Sequence, residues 1–295
     1  GSIALSEEGQ TIEPYFTIEI PAIMGVMSAL TLAFILGIGL SKIKNSAMLK
    51  VVDEFNQIVL MIVTNVLIPL VPIYIGCVFA KLSYSGEIFN TLKSFGIVYV
   101  LLFALQLTYI CIQYCIAGAI KKQNPFKLIK NMVPAYMTAV GTQSSAATIP
   151  VTLQCVKKND VNEEVLDFVV PLGATIHLAG DTITLVLTSM AVMYMNGQTP
   201  TFGMIMPFIF MLGVTMVAAP GVPGGGVMAA LGLLESMLGF GAIEKPIMIA
   251  LHAAQDSFGT ATNVTGDGAI AILVDYIINK KKGNSISKED KVISA

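Results

Sequence analysis

Residues 94–120 read SFGIVYVLLFALQLTYICIQYCIAGAI, and no charged side chain interrupts them. A helix needs about 20 residues to cross the hydrocarbon core of a bilayer. Because every backbone polar group in lipid must find its partner within the protein, an apolar run of this length predicts a transmembrane helix. Further uncharged stretches that are long enough to span occupy residues 20–41, 55–80, 131–156 and 182–234. The sequence therefore predicts an all-α, polytopic membrane protein.

The composition agrees with this prediction. Hydrophobic residues make up 55% of the chain and charged residues only 12%, whereas a soluble domain carries about 25% charged residues. The formal net charge of -2 offers no basic surface to nucleic acid, and all 17 basic residues are lysines. Cys111 and Cys115 lie one helical turn apart, which favours packing of small apolar side chains over a disulfide or metal pair. We expect no cleavable signal peptide, because the N-terminal residues are polar and lack a basic leader.

The apolar pattern predicts five transmembrane helices and two re-entrant helical hairpins. The first three helices cover residues 18–41, 52–80 and 90–120. They are followed by a hairpin over 125–157, a broken helix over 163–195, a second hairpin over 200–240 and a second broken helix over 244–279.

The two hairpins are predicted from centres that do not suit a helix in lipid. The first centre, 142–148, reads TQSSAAT, and the second, 218–226, reads AAPGVPGGG. Small polar residues, glycine and proline all weaken a helix at such positions. A hairpin followed by a broken helix thus occurs twice. Paired interrupted segments of this kind indicate the binding site of a transporter.

The lysine clusters predict the orientation of the chain. Under this count of spans they all lie on one side of the membrane, at residues 42–50, 121–130, 157–158 and 280–282. Positive charge collects on the cytoplasmic side. The C-terminus is therefore predicted to be cytoplasmic, in a multi-pass protein of the plasma membrane.

Among the ionisable residues inside the predicted spans, four stand out as functional candidates: His177, Asp181, Asp256 and Asp267. Each costs about 2.5–3.5 kcal/mol on insertion scales, so such residues are candidates for function. The alternative is a hydrogen-bonded structural role, which is stronger for a lone histidine. Asp256, Asn263 and Asp267 are spaced by seven and four residues, which places them on one helical face. Aspartate suits an ammonium group or Na⁺, and the hairpin tips add free N–H groups for a carboxylate and carbonyls for a cation. A zwitterion with Na⁺ fits this combination.

Four motifs carry a family resemblance: SSAATIP at 144–150, PLGATI at 171–176, GVPG at 221–224 and NVTGD at 263–267. In this order and spacing the chain resembles the dicarboxylate/amino acid:cation symporter family, which has the glutamate-transporter fold. The resemblance covers the family's last five spans and both hairpins, but not its first three spans. It implies a homotrimer in which a static scaffold, residues 1–87, supports a mobile transport domain, residues 88–282. Residues 283–295 would form a cytoplasmic tail.

The resemblance also implies the residues of the site. A substrate carboxylate would be held by Ser145, Asn263 and the backbone near Gly221, and the substrate amino group by Asp256. The implied substrate site as a whole comprises Ser144, Ser145, Asp181, Gly221, Asp256, Gly259, Thr260 and Asn263. The implied sodium sites are one at the Gly173 and Asn263 carbonyls with the Asp267 side chain, and one at Thr175 with backbone carbonyls of Met216, Val217 and Ala219. No cofactor other than the coupling ions is implied.

The sequence departs from the family at two positions, one that bears on the substrate and one that bears on a sodium site. Members that take acidic substrates carry an arginine where this chain has Gly259, and this chain has no arginine at all. A bidentate guanidinium fork for a side-chain carboxylate is therefore absent. The family's sodium-binding aspartate in the broken seventh span is Ala179 here, which puts a third sodium site in doubt. An aspartate stands instead at Asp181.

His177 and Asp181 are predicted to lie one turn apart on the same helical face. Asp181 would then supply an anion to a displaced cation site, or face the substrate side chain and favour a donor or cationic group. A third interpretation is a proton relay through His177, which titrates near neutral pH. A purely structural hydrogen bond at the bend is the fourth.

These inferences predict a sodium-coupled symporter of a neutral or otherwise non-acidic amino acid that works by alternating access. The nearest alternative is a proton-coupled carrier of an amino acid or dicarboxylate. Two other classes fit less well. An intramembrane aspartyl protease also needs two buried aspartates, but its Gly-x-Gly-Asp signature reads Val264-Thr265-Gly266-Asp267 here. A passive channel needs a continuous pore rather than re-entrant tips. The protein is predicted not to be an enzyme.

Overall fold

A computed structural model describes residues 24, 26–43, 46–62, 65–66, 69–70, 73, 76–77, 80, 84, 88–219, 221 and 223–293. Within them the elements are ten α-helices: α1 Val26–Lys42, α2 Ala47–Ile62, α3 Ile88–Lys121, α4 Pro125–Thr142, α5 Ser145–Lys157, α6 Glu163–Ile176, α7 Ala179–Met195, α8 Phe202–Met216, α9 Gly225–Leu238 and α10 Glu244–Ile293. The predicted all-α class is confirmed for this part of the chain.

Three helical segments are long and apolar enough to cross a membrane by length and composition: Phe95–Lys121, Glu163–Met195 and Glu244–Lys280. Shorter apolar helices lie at Thr31–Lys42, Phe202–Met216 and Gly225–Leu238. The predicted helix over 18–41 begins, as described, only at Val26, and most of 63–80 lies outside the described residues. The number of spans and the re-entrant character of the hairpins therefore stay predictions.

The first predicted hairpin consists of α4 and α5, which pack against each other. Helix α4 ends because Gln143 adopts a left-handed conformation, φ 52°, and donates its N–H to the Ala139 carbonyl. Helix α5 begins at once, since the Ser144 side chain accepts the Ala147 N–H as an N-cap. The tip is thus two residues long. The rest of the predicted polar centre, from Ser145 onward, is helical.

The second predicted hairpin has a longer tip. Helix α8 ends at Met216 and helix α9 begins at Gly225. Gly224 has φ 73°, a left-handed conformation that an L side chain rarely adopts. The described residues of the Gly/Pro-rich centre are therefore non-helical up to Gly224, as the composition predicts, whereas Gly225 and Gly226 begin α9.

The segment 163–195 is broken as predicted, but the break lies at His177 and Leu178, between α6 and α7. The expected interruptions at Pro171, Gly173 and Gly180 all lie within helices. Proline removes only one N–H donor, and the glycines serve a different purpose. A Cβ at Gly173 would collide with the Asp267 carboxylate, and one at Gly180 would collide with the Gly259 carbonyl. Both glycines permit close packing against α10.

The predicted break within 244–279 was wrong, because α10 runs without interruption from Glu244 to Ile293. Its one proline, Pro246, lies in the first turn, where a missing N–H leaves no hydrogen bond unmade. Four of its buried polar side chains find partners on other elements, so they do not need a break in the helix: His252, Asp256, Asn263 and Asp267.

The chain divides into two compact units. One comprises residues 1–98, 186–215 and 227–251, and the other comprises 99–185, 216–226 and 252–295. The second unit holds a core of buried apolar side chains from α3 to α6 and α10, including Tyr114, Leu128, Met132 and Ile272. The Tyr114 hydroxyl donates to the Thr265 carbonyl at 2.8 Å and so ties α3 to α10. The functional division at residue 87 stays a prediction.

Candidate functional site

The centre of the site is Asp181, which lies in the first turn of α7 in the second unit. One carboxylate oxygen is 2.8 Å from His252 Nε2, and the other accepts the Asn263 side-chain amide at 2.5 Å. All three side chains are buried. Since His252 and Asn263 both lie on α10, Asp181 fixes the start of α7 to that helix.

The Asn263 amide has both its ends in use. Its oxygen accepts the Gly180 N–H at 2.7 Å while its nitrogen donates to Asp181. Gly180 is the second residue of α7, so its N–H is one of the four at a helix start that have no intrahelical partner. Asn263 therefore caps α7 from another helix.

Asp256 lies one helical turn after His252 on α10 and is also buried. Its carboxylate accepts the Gly224 N–H from the second hairpin tip at 2.7 Å and the Thr260 hydroxyl at 3.4 Å. One potential ligand atom from each of Asp181, His252 and Asp256 lies within 4.8 Å of the others. Two carboxylates and one imidazole thus converge in a buried place.

Asp267 lies on α10 and contacts His177 of the break between α6 and α7. His177 Nδ1 is 2.9 Å from Asp267 Oδ1, and His177 Nε2 is 3.3 Å from the Tyr109 hydroxyl. Gln113 Nε2 donates to the same hydroxyl at 2.8 Å, while Gln113 Oε1 is buried without a hydrogen-bond partner. The bare backbone of Gly173 lies directly beside the Asp267 carboxylate.

The predicted pairing of His177 with Asp181 was wrong. His177 caps the end of α6 with φ -101° and ψ 88°, and a non-helical residue separates it from α7. The helical spacing on which that pairing rested does not apply across the break. Each residue instead contacts α10, His177 through Asp267 and Asp181 through His252.

The two hairpin tips meet through Ser144 in the second unit. Its hydroxyl donates to the Gly221 carbonyl at 2.9 Å, and a Cβ at Gly221 would lie 2.6 Å from the Ala174 carbonyl. Gln143 of the first tip donates to the Ser257 hydroxyl of α10 at 2.9 Å. Ser145 is buried at the N-terminus of α5. The structure thus brings Ser144 and Gly221 together, and Gln143 joins the first tip to α10. Their role in binding a substrate stays a prediction.

The residues of the second implied sodium site are less clearly gathered. The Thr175 side chain is exposed, and its hydroxyl donates to the Leu172 carbonyl at 2.8 Å. Met216 and Ala219 are buried at the second tip, whereas Val217 is exposed. Their joint coordination of an ion stays a prediction. Gly259 is buried, with Gly180 as its nearest neighbour on α7.

Sequence reasoning missed His252, and with it the partner of Asp181. A signal was present, because residue 252 precedes Asp256 by one turn on the helical face that continues to Asn263. It also missed Gly226, where a Cβ would lie 2.8 Å from Asp181 Oδ1 and 3.2 Å from His252 Nε2. That proximity joins distant parts of the chain, and no local pattern reports it.

The lysine ion pairs of the described residues lie elsewhere. They are Lys157 with Glu163 and Lys245 with Glu235, and each carboxylate in them is exposed. Asp181 and Asp256 have no lysine partner among the residues that the structure describes. The site is therefore rich in buried anionic groups. A protonated histidine is the nearest described side chain that would bring a positive charge to it.

The sequence matches known proteins over most of its length. The family model described as "Sodium:dicarboxylate symporter family" matches residues 2–277. "Excitatory amino acid transporter 1" of Ambystoma tigrinum is 30% identical over 182 residues, which are 59% of this chain and 33% of that protein. The human "Neutral amino acid transporter A" is 29% identical over 174 residues, 58% of this chain and 32% of its own length. The chain thus spans about a third of the length of the relatives it matches.

Proposed function

The chain belongs to the sodium:dicarboxylate symporter family, and on that premise we propose that it forms part of a sodium-coupled symporter of a neutral or otherwise non-acidic amino acid. The resemblance expected from the four motifs is confirmed. The family and the relatives are transporters and not enzymes, and the apolar helices agree with a multi-pass membrane protein.

The observation that carries the proposal is the buried Asp256 carboxylate without a lysine partner among the described residues. A buried carboxylate needs a compensating charge or several hydrogen bonds. Asp256 has one short bond, from Gly224, and one long one, from Thr260. A substrate ammonium group would supply the missing charge and further donors.

The proposed site is unsuited to a second substrate carboxylate. No arginine is present anywhere in the sequence, and Gly259 offers no side chain. Asp181 adds another anion to the same cluster. Like charges repel strongly in a buried place, which favours neutral side chains or side chains that donate hydrogen bonds.

The proposed place of the substrate's own carboxylate is the meeting of the two hairpin tips. The N-terminus of α5 begins at Ser145, and helix N-termini carry unpaired N–H groups and a positive dipole end. Ser144, Ser145, the backbone at Gly221 and the Asn263 amide are the proposed contacts. In the described arrangement Asn263 donates to Asp181, so its remaining N–H would serve the substrate.

Sodium is proposed as the coupled ion, in the two sites that the family resemblance implies. The buried Asp267 beside the bare backbone of Gly173 supports the first site. Since His177 occupies Asp267 Oδ1 at 2.9 Å, we expect Na⁺ binding there to weaken or displace that contact.

The larger assembly follows the same proposal. A homotrimer in the plasma membrane, a scaffold at residues 1–87 and a mobile domain at 88–282 with a cytoplasmic C-terminus are expected by family resemblance. Because the chain covers about a third of its relatives' length, all of these features are proposed for the full protein.

A proton-coupled carrier is the second candidate, and one specific observation favours it. Both histidines of the chain contact a buried aspartate, His177 with Asp267 and His252 with Asp181. Such pairs can carry a proton. Uptake that follows a pH gradient and ignores a Na⁺ gradient would establish this candidate instead.

The decisive test is the thermal stability of the purified full-length protein with a panel of amino acids, each in Na⁺ and in K⁺. A ligand that binds the native state raises the unfolding midpoint by mass action. We expect a non-acidic amino acid to stabilise the protein in Na⁺ only.

The test of the site uses Asp256→Asn, in which this stabilisation should disappear. Asp275→Asn is the matched control, because Asp275 is also a buried aspartate of α10 but accepts the Asn162 N–H at 3.3 Å, outside the cluster. Stabilisation that survives in Asp256→Asn, or an equal response to glutamate, contradicts the proposal.

A further inference from the structure

Asp181, His252 and Asp256 form a cluster whose side chains come from α7 and α10. In the part of the chain that the structure describes, this is the group of three histidine, cysteine or acidic side chains whose ligand atoms converge, within 4.8 Å of one another. Their exposed fractions are 4%, 1% and 6%. At this degree of burial, bulk water does not reach the two carboxylates to stabilise their charge.

The charge of the cluster is not balanced by the protein. A protonated His252 would neutralise one carboxylate and leave the other. Neither carboxylate has a lysine partner in the described residues. Burying an uncompensated carboxylate is costly. A divalent cation bound to both carboxylates and a neutral imidazole would give a net charge of zero.

We propose that Asp181, His252 and Asp256 form a binding site for a divalent transition-metal ion of the zinc class. The site is distinct in its residues from the sodium sites that the family resemblance implies. Its ligands are one imidazole nitrogen and two carboxylate oxygens, with a fourth position left for water or another ligand, as in open three-ligand zinc sites.

The ligand types select the metal. Zinc binds histidine nitrogen and carboxylate oxygen at about 2.0–2.2 Å, so two ligands on one tetrahedral ion lie about 3.4 Å apart. The distance from His252 Nε2 to Asp181 Oδ1 is 2.8 Å. Binding of the ion would therefore move these two atoms apart through a small movement of their side chains. Sodium, magnesium and calcium prefer sites built wholly of oxygen.

The second nitrogen of the ring supports the same assignment. A metal at Nε2 requires the proton on Nδ1, which then needs an acceptor. His252 Nδ1 is buried without a partner, and so is Gln255 Oε1. Residues three apart on a helix are neighbours on its surface. No hydrogen bond joins these two atoms in the described arrangement, so a turn of the Gln255 side chain toward the ring would make it the acceptor of the metal-bound tautomer.

The wall beside the cluster is bare backbone. A Cβ at Gly226 would lie 2.8 Å from Asp181 Oδ1 and 3.2 Å from His252 Nε2. Both distances are shorter than ordinary van der Waals contact, so only glycine lets the backbone of α9 approach these two ligand atoms this closely.

Metal binding would have a consequence for transport, which rests on the proposed function. Asp256 is there the partner of the substrate ammonium group. One carboxylate cannot serve the ion and the ammonium group equally well, so each ligand weakens the binding of the other by the same factor. Zinc would then act as a competitive inhibitor of uptake.

The test uses Co²⁺ as a spectroscopic probe on the purified full-length protein, with every cysteine replaced by serine to remove competing thiolates. In the absence of any amino acid, we expect saturable visible absorption that Zn²⁺ displaces. His252→Gln should weaken Co²⁺ binding at least tenfold. His177→Gln, the matched change at the chain's other histidine, should alter it less than twofold.

Three results overturn the proposal: no saturable Co²⁺ binding, unchanged binding in His252→Gln, or an equal loss in His177→Gln. If His252→Gln does not fold, zinc X-ray absorption of the unmutated protein replaces it. An imidazole bound to the ion supports the site, and an ion without imidazole overturns it. Because these readouts use no amino acid, failure of the symporter proposal leaves them unaffected, and the reverse also holds.

Discussion

The two histidine–aspartate pairs of this protein differ in how firmly their surroundings hold them. In the inner pair, Asp181 with His252, both partners lie on continuous helices and His252 is 1% exposed. In the break pair, Asp267 with His177, the histidine lies on the non-helical link between α6 and α7, and its side chain is 15% exposed. The same two residue types thus form one fixed contact and one that can yield. A contact that stays in place suits the wall of a binding site. A contact that can break suits a site where the binding ion must displace a side chain.

The largest expected effect tests the helix contact that holds the inner pair. In Gly180→Ala, the new Cβ would collide with the Gly259 carbonyl, whose carbon lies 2.8 Å away. Backbone atoms cannot swing aside, so α7 must move and both bonds of Asn263 are disturbed. We expect a loss of about 3 kcal/mol in the free energy of unfolding in detergent, the upper part of the range for overpacking.

The control for this change is Gly213→Ala in the last turn of α8, where a Cβ meets nothing within 4 Å. It should gain up to about 1 kcal/mol from helix propensity. Equal effects of the two substitutions would mean that the close approach of α7 and α10 does not hold the inner pair.

Removing each histidine compares the pairs directly. His252→Ala leaves the buried Asp181 with only the Asn263 amide, and breaking a buried pair costs about 3 kcal/mol or more. His177→Ala also takes a partner from a buried carboxylate, since Asp267 is 1% exposed, but the His177 side chain is 15% exposed. Water can enter the space it leaves and replace the hydrogen bond, so we expect a loss of about 1 kcal/mol. The unfolding free energies of the two variants measure the difference. Equal losses would refute the distinction between a fixed and a yielding pair.

Alanine substitutions at the glycines beside these pairs, Gly266 and Gly226, give a second comparison. The substitution that creates the shorter contact should lower the free energy of unfolding less. A Cβ at Gly266 would lie 2.5 Å from the His177 ring, whereas at Gly226 it would lie 2.8 Å from Asp181 Oδ1. His177 can swing away, but Asp181 is held from both sides. We expect losses of about 1 kcal/mol for Gly266→Ala and about 2 kcal/mol for Gly226→Ala. The reverse order in unfolding midpoints would show that His177 is the more tightly held residue.

The same contrast explains how far the sequence could predict this molecule. Apolar runs and Gly/Pro centres predicted the helix class, both helix–tip–helix segments and a break within 163–195, because these features are local. The face shared by Asp256, Asn263 and Asp267 followed from helical spacing. The partners of Asp181 and His177 did not follow, since the break at His177 and Leu178 removes the helical spacing between them and each meets α10 at a different height. Asp181 and His252 are 71 residues apart, and only packing brings them together.

The smallest expected effect belongs to a third ion pair, which lies at the surface. Lys157 and Glu163 form a salt bridge with side chains 64% and 68% exposed, and the hydrogen bond to Glu163, followed by its charge, raises the pKa of Lys157. A raised lysine pKa stabilises the fold at neutral pH and loses that contribution as pH rises through the raised value. Water and salt screen so exposed a pair. In Glu163→Gln we therefore expect an NMR titration of Lys157 to shift to lower pH, while the unfolding midpoint at pH 7 stays that of the control, Glu164→Gln. A fall in that midpoint as large as the one in His252→Ala would show that burial is not what separates the strong pairs of this protein from the weak one.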